Sequence, residues 1–397
     1  MTQPFAIDRI DVELTASMER VERTPDPDTP FRILLLGDFT GRRSRRVNRA
    51  ADAQHDPEPL EVDRDTLDEL IKRLRPELRV DLPGVESRQL AIGFTGLEDF
   101  HPDRLFERLE VFRSLRALRR RLQDPKTYWA AAAEVRGSIT DEGREPQGAS
   151  TQDREGALSE GQALVRELLE GSGRRMPETS SVQDDEWNRF LQGIVGPHLV
   201  AREDPKQPEL IAAVDRATTA SMRAILHHPD FQALEAAWRA VDFLVRRLET
   251  GSDLHIWVVD VSKDDLRAAF AAGDDLGANR LARILIDDGV GTPGAVPWAV
   301  IAGNYTFDAS AEDVAILSGM ARLARAAGAP FLAAASPRLL GCESLDATPD
   351  PDDWRPLDDA DAKRWDELRG SRDAGFLGLA LPRFLLRMPY GKDGERL

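Results

Sequence analysis

Short unbroken apolar runs alternate along this chain with apolar stripes spaced at three and four residues, and the two patterns predict strands and helices respectively. Phe31-Arg-Ile-Leu-Leu-Leu36, closed by Gly37-Asp38 and Gly41, predicts a buried strand followed by a loop. Leu67, Leu70, Ile71 and Leu74 share one helical face, with Asp63 or Asp65 as cap and Pro76 as stop. Leu90-Ala-Ile-Gly-Phe94 predicts a second strand. From Pro102, a residue suited to a first helical turn, Leu105, Phe106, Leu109, Phe112, Leu115, Leu118 and Leu122 predict one amphipathic helix whose other face carries arginines.

Between Gly137 and Asp185 the periodicity fades into Gly, Ser, Pro and charge, broken by a short helical pattern near Ala163 to Leu169. Such a mixture buries too little surface to offset chain entropy and reads as a flexible linker. Helical stripes then return around Leu210 to Met222 and from Phe231 through Trp238 to Leu248, separated by Pro229. Leu254 to Val259, Trp298 to Ile301 and Phe331 to Ala335 predict strands, alternating with helices near Ser262 to Ala272, Gly277 to Asp287 and Ala311 to Ala327. Phe376 to Leu381 predicts one more strand, after an acidic loop from Asp346 to Asp361. This alternation gives an α/β fold with a largely parallel sheet, the first block being α/β or α+β. The expected division is 1–136, a linker 137–185, and 186–397.

Charge and composition narrow what such a protein does. A net charge of −17 opposes general binding to nucleic acid or anionic lipid. No apolar run approaches the ~20 residues of a membrane-spanning helix, and the first thirty residues lack the pattern of a secretory signal, so a cytoplasmic location is expected. A single cysteine, Cys342, excludes an intrachain disulfide and a cysteine-cluster zinc site.

The candidate chemical motifs are each incomplete. Adjacent His227 and His228 project about 100° apart on a helix and do not converge on a metal, while His55, His101, His198 and His255 stand singly. Gly289-Val-Gly-Thr-Pro-Gly294 lacks the Lys-Ser/Thr of a phosphate loop, and Gly37-Asp-Phe-Thr-Gly41 lacks dinucleotide-loop spacing. Ser318 and Ser336 lack a nucleophile elbow. The aspartates from Asp346 to Asp361 do not follow the order of a calcium loop and read as a solvated run. No cofactor or metal is expected. The arginines after Gly41, and Arg113, Arg116, Arg119 and Arg120 on the long helix, concentrate positive charge in an acidic chain; they are either a solvated face or a dock for carboxylates of an identical or related subunit.

Longer words in the sequence are more specific. Phe31-Arg-Ile-Leu-Leu-Leu-Gly-Asp-Phe-Thr-Gly-Arg42, Glu61-Val-Asp-Arg-Asp65, Leu78-Arg-Val-Asp-Leu82 and Leu97-Glu-Asp-Phe-His-Pro-Asp103 resemble the small subunit of the type VI secretion contractile sheath. Ile225-Leu-His-His-Pro-Asp-Phe-Gln-Ala-Leu-Glu-Ala-Ala-Trp-Arg239, Gly303-Asn-Tyr-Thr-Phe-Asp308, Ala329 to Ser336 and Leu381-Pro-Arg-Phe-Leu-Leu-Arg-Met-Pro-Tyr-Gly391 resemble the large subunit of the same sheath. The family's two subunits are normally separate, interlocking chains, and its large subunit continues past the point matched near Gly391.

The resemblance implies two sheath-type sandwiched domains with mixed sheets flanked by helices, and a non-enzymatic structural subunit of a contractile injection apparatus. Its implied partners are sheath subunits or further copies of itself, an inner tube protein, an AAA+ ATPase and a baseplate. A non-polymerising sheath or baseplate adaptor is the alternative within the family, and an α/β enzyme with an unrecognised site the alternative outside it. The resemblance also implies a sheet edge covered by a second polypeptide or a neighbouring copy, and a chain that alone is soluble without forming long tubules.

Overall fold

The computed structural model describes residues 29–45, 57–82, 89–136, 207–271, 280–291, 295–388 and 390. The expected linker and the helical pattern near Ala163 lie outside these residues. The first block contributes β1 (Phe31–Gly37), α1 (Arg42–Arg45), β2 (Leu60–Val62), α2 (Leu67–Leu74), β3 (Glu77–Asp81), β4 (Gln89–Gly93), α3 (Pro102–Arg108), α4 (Glu110–Gln123) and α5 (Tyr128–Arg136). The second contributes α6 (Gln207–Leu226), α7 (Pro229–Arg247), β5 (Leu254–Asp260), α8 (Lys263–Ala271), β6 (Val300–Phe307), α9 (Ala311–Ala327), β7 (Phe331–Ala335), α10 (Asp359–Gly370) and β8 (Leu377–Ala380). Between α8 and β6, the short helix Arg280–Ala282 runs into a π-helical segment, Arg283–Gly291.

The fold is α/β, and its main sheet is woven from both blocks. Six strands run in the order β2-β5-β1-β6-β7-β8. All neighbours from β5 to β8 pair in parallel, and β2 lies antiparallel along the outside of β5. β3 and β4 form a separate antiparallel hairpin. β1 therefore sits between two strands of the second block, matched Phe31 to Leu254 on one side and Ile33 to Val300 on the other.

Burial explains why Leu34-Leu35-Leu36 lacks the alternation of a half-exposed strand. Leu34 and Leu36 enter the core on the face of α9, with Val259, Ile301, Phe331 and Met320. Leu35 enters the opposite core with Val258, Phe39 and Trp238. A strand covered on both faces is apolar at every position. Burying these three leucines contributes roughly 5–9 kcal/mol as an upper estimate. The second core is also shared, since Phe94 and Phe100 of the first block stack at 4.1 Å and pack against Phe231 of α7 at 6.1 and 5.8 Å.

Local signals place most ends. Ser310 caps α9, whose C-terminus closes on Gly328 in the left-handed region. The single helix expected from Pro102 is instead two, because Leu109 is extended and its carbonyl accepts from the Arg113 N–H at the start of α4. Asp63 does not cap α2 directly. Its carboxylate accepts from the Asp65 and Thr66 N–H groups and the Thr66 hydroxyl in the preceding turn.

Candidate functional site

The most elaborate polar chemistry among the described residues lies where the end of β1 meets the end of β5. Asp260 ends the apolar run of β5 and is buried. Its carboxylate accepts from the Phe39 N–H at 2.7 Å, the Thr40 N–H at 3.1 Å and the Thr40 hydroxyl at 2.8 Å. Arg42 lies 3.3 Å from it and extends to Asp265 at 2.7 Å and to the Asp260 carbonyl at 3.0 Å. The indole N–H of Trp238 donates to the Phe39 carbonyl at 3.0 Å. Burial pushes the Asp260 carboxyl above its ordinary range, and Arg42 works against that rise; Asp38 adds to it, while the Thr40 hydroxyl and the Phe39 N–H oppose it. Burial also pushes the Tyr305 hydroxyl well up, with the same carboxylates adding, so it stays protonated and donates to the Val261 carbonyl at 2.5 Å.

The turn that delivers these groups depends on Gly41. Its φ is +72°, and a Cβ there would lie 2.7 Å from the Glu77 carbonyl. Arg42, which the sequence groups with surface arginines, thus faces inward as a clasp between the blocks. Asp38 holds the start of α1 by accepting from the Arg42 and Arg43 N–H groups. Arg46 and Arg49 lie outside the described residues.

The four arginines singled out on α4 have different surroundings. Arg119 pairs bidentately with Asp215 of α6, at 2.7 and 3.4 Å, which raises its guanidinium pKa through that bond and charge. Arg116 stacks over the Phe106 ring at 4.8 Å and reaches the Glu107 carbonyl at 3.3 Å. Arg113 and Arg120 are exposed. Arg116, Arg119 and Arg120 rim an open groove of about 330 Å³ between α4 and α6, with Phe106 and Leu115 also lining it.

Other sequence candidates have structural work. His228 and His101 each precede a Pro-Asp pair and accept from the Asp N–H through Nδ1, at 3.2 Å, capping α7 and α3. His255 meets Glu61 of β2 at 2.5 Å. Ser336 accepts from the Arg338 N–H, and the Ser318 hydroxyl donates to the Val314 carbonyl. Among the acidic residues, Asp350 and Asp358 cap helical turns, and α10 begins where a loop was expected to continue. Among the described residues no group of His, Cys, Asp or Glu is arranged to hold a metal ion. His55, His198, Thr292, Pro293 and Gly294 lie outside the described residues.

Beyond β8 the chain doubles back over α7. Buried Glu235 accepts bidentately from Arg387 at 2.8 and 2.7 Å and from Arg239 at 2.7 Å. Tyr390 meets His101 edge-on at 5.7 Å, and Arg387 lies 3.8 Å over the Tyr390 ring. This return leaves Phe384, Leu385 and Met388 exposed at 71%, 73% and 60%. β8 is the edge strand beside it, paired with β7 alone among the described residues. Sequence reading missed Asp260, Trp238 and Glu235; the one visible signal is an acid ending an otherwise apolar strand in Val258-Val259-Asp260.

Residues 6–146 match the family described as type VI secretion system, VipA, VC_A0107 or Hcp2. Residues 208–397 match VipB, described as EvpB/VC_A0108, tail sheath N-terminal domain. The chain is also similar to the type VI secretion system sheath protein TssC1 of Pseudomonas aeruginosa, with 37% identity over 197 residues. That match covers 49% of this chain and 40% of the relative's length.

Proposed function

We propose that the chain, whose residues 6–146 match the VipA family and residues 208–397 the VipB tail sheath N-terminal domain, is a structural, non-enzymatic subunit of a contractile sheath. The observation that carries this reading is the composite sheet: a strand from the VipA segment lies inside the sheet of the VipB segment, sealed by Asp260, Arg42 and Trp238. The chemistry of the site is that of holding two segments together, and in this reading contraction energy is stored in contacts between subunits.

The division into 1–136, a linker 137–185 and 186–397 goes with this proposal. Limited proteolysis should cut between Gly137 and Asp185 and leave two fragments that co-elute, because Phe231 and Trp238 join their core; fragments that part freely would contradict the division. Arg113, Arg116 and Arg120 are assigned to carboxylates of a neighbouring subunit, with Arg119 setting the groove's shape through Asp215. The exposed apolar return and the edge of β8 supply a second contact. Inner tube, AAA+ ATPase and baseplate are the further partners of this reading, in the cytoplasm.

Electron microscopy and co-sedimentation test it. The expected result is a purified chain that is soluble, forms no long tubules by itself, and co-sediments with sheath subunits. A monodisperse monomer that binds no sheath component under any condition would sink the reading, and binding without entry into polymer would turn it into the adaptor.

A further inference from the structure

We propose that the arginine-rimmed groove between α4 and α6 of one copy seats the acidic segment 346–361 of a second copy, so that copies join head to tail through charge. The inference rests on the reading of Arg113, Arg116 and Arg120 as a dock for a neighbouring subunit, and names what they meet there.

Of the five arginines on α4, two already have carboxylates: Arg119 has Asp215 and Arg121 has Glu134, each at 2.7 Å. Arg113, Arg116 and Arg120 have none among the described residues. Their spacing of three and four places them on one face of the helix, over about 10 Å of its length. The Arg116 Nε–H is buried without an acceptor, while Phe106 and Leu115 add apolar lining beside it. A stripe of uncompensated guanidinium groups on a packed helix fits a chain that carries several carboxylates, since each fork can pair one bidentately.

Segment 346–361, between β7 and α10, holds seven aspartates against a single cation, Arg355. Asp350 and Asp358 cap helical turns, and Asp361 pairs with Arg364. Asp346, Asp352, Asp353 and Asp359 are exposed, and their carboxylates have no partner among the described residues. The segment nonetheless has a fixed shape, because the Trp354 indole N–H donates to the Thr348 carbonyl at 3.1 Å. It is therefore offered as a preformed surface, which lowers the ordering cost of docking. Groove and segment do not meet within one chain. Leu115 of α4 belongs to the core on one face of the main sheet, and Leu368 of α10, into which the segment leads, to the core on the other. A contact between them joins two copies, each giving its groove to one neighbour and its segment to another, which builds an open row or a closed ring. A few exposed ion pairs hold weakly, so the contact forms where copies are crowded and loosens with salt.

The test is a charge swap between two full-length chains, one carrying Arg113→Glu and Arg120→Glu, the other Asp352→Arg and Asp353→Arg. All four positions are exposed, and an unchanged melting temperature verifies each fold. Sedimentation equilibrium at low salt should show the parent associating and each variant alone associating about ten-fold more weakly. An equimolar mixture of the two variants should return to within about three-fold of the parent, because the reversed groove of one then meets the reversed segment of the other. Recovery in the mixture is a result that a structural role for either patch does not produce. A mixture that fails to recover would overturn the proposal, as would a parent that is monomeric at about 100 micromolar or associates equally in both variants. Weakening by the arginine changes alone would assign the groove to an acidic partner other than this segment, and would equally remove it. Co-sedimentation separates the two readings: sheath subunits bound without any self-association leave the sheath reading standing, whereas a recovered mixture that binds no sheath component does the reverse.

Discussion

Replacing Asp260 by alanine tests whether the polar clasp holds the two blocks together. The substitution leaves the Phe39 and Thr40 N–H groups in a buried turn without their acceptor, each at about 1–3 kcal/mol. Breaking a buried ion pair typically costs about 3–5 kcal/mol, but Arg42 keeps Asp265 at 2.7 Å and the burial penalty of the Asp260 charge disappears. These overlapping effects leave a net loss of about 3–5 kcal/mol. With an m value of about 3 kcal/mol/M, the urea midpoint should fall by about 1–1.7 M. Tryptophan fluorescence follows the transition, since Trp238 packs on Phe39 at 5.3 Å. Asp260→Ala combined with Thr40→Val should be less damaging than the sum of the two, by about 0.5–3 kcal/mol. The folded carboxyl lies above its ordinary value, so its titration contributes stability that is complete below about pH 4 and shrinks as pH rises through the folded pKa. The loss should accordingly be larger at pH 4 than at pH 7. Asp264→Ala, at an exposed site, is the control; a midpoint for Asp260→Ala no lower than that control would refute the reasoning.

Gly41→Ala should cost about 1–3 kcal/mol, because φ is +72° and the new methyl meets the Glu77 carbonyl; a thermal midpoint equal to the parent's would count against it. Asp63 is held below its ordinary pKa by the Thr66 N–H and hydroxyl, against a small burial effect. Its contribution is present above about pH 4 and is lost as pH falls through the folded pKa, so the gap between parent and Asp63→Asn in urea midpoint should close below pH 4. Arg113→Glu combined with Arg120→Glu should weaken co-sedimentation with sheath subunits while leaving the melting temperature unchanged, and parent binding should itself decline with salt; salt-independent, undiminished binding returns these arginines to a solvated face.

Legibility from sequence followed the range of the interactions. β7 and α9 were readable to the residue because their signals are local: an apolar run between Pro330 and Ser336, and Ser310 and Gly328 as caps. β1 was recognisable as buried, but nothing within its own block says that its neighbours are residues 254–260 and 300–303, more than two hundred positions away. Parallel pairing of distant strands leaves no turn to read. β2 is only three residues long and owes its conformation to β5, so no period could show it. The break at Leu109 hides because Phe106 and Phe112 keep the apolar spacing on either side of it. Of the candidate site, the four arginines were visible as charge density, whereas their partners, Asp215 and Phe106, depend on how α6 and α3 meet α4.

The central position of β1 also sets a schedule for synthesis. The strand is made early, yet β6, the later of its two flanking strands, is complete only roughly 270 residues afterwards. At ribosomal rates of about 5–20 residues per second, that interval is about 15–55 s. Until β5 is made, Leu34-Leu35-Leu36 has no sheet to join, and until β6 follows, one of its edges stays open, a segment exposed to misassociation or to a chaperone. Carrying both blocks on one chain guarantees that the strand which finally covers it arrives in equal number and at close range, so its vulnerable period ends when translation passes residue 307 and does not depend on a diffusional search.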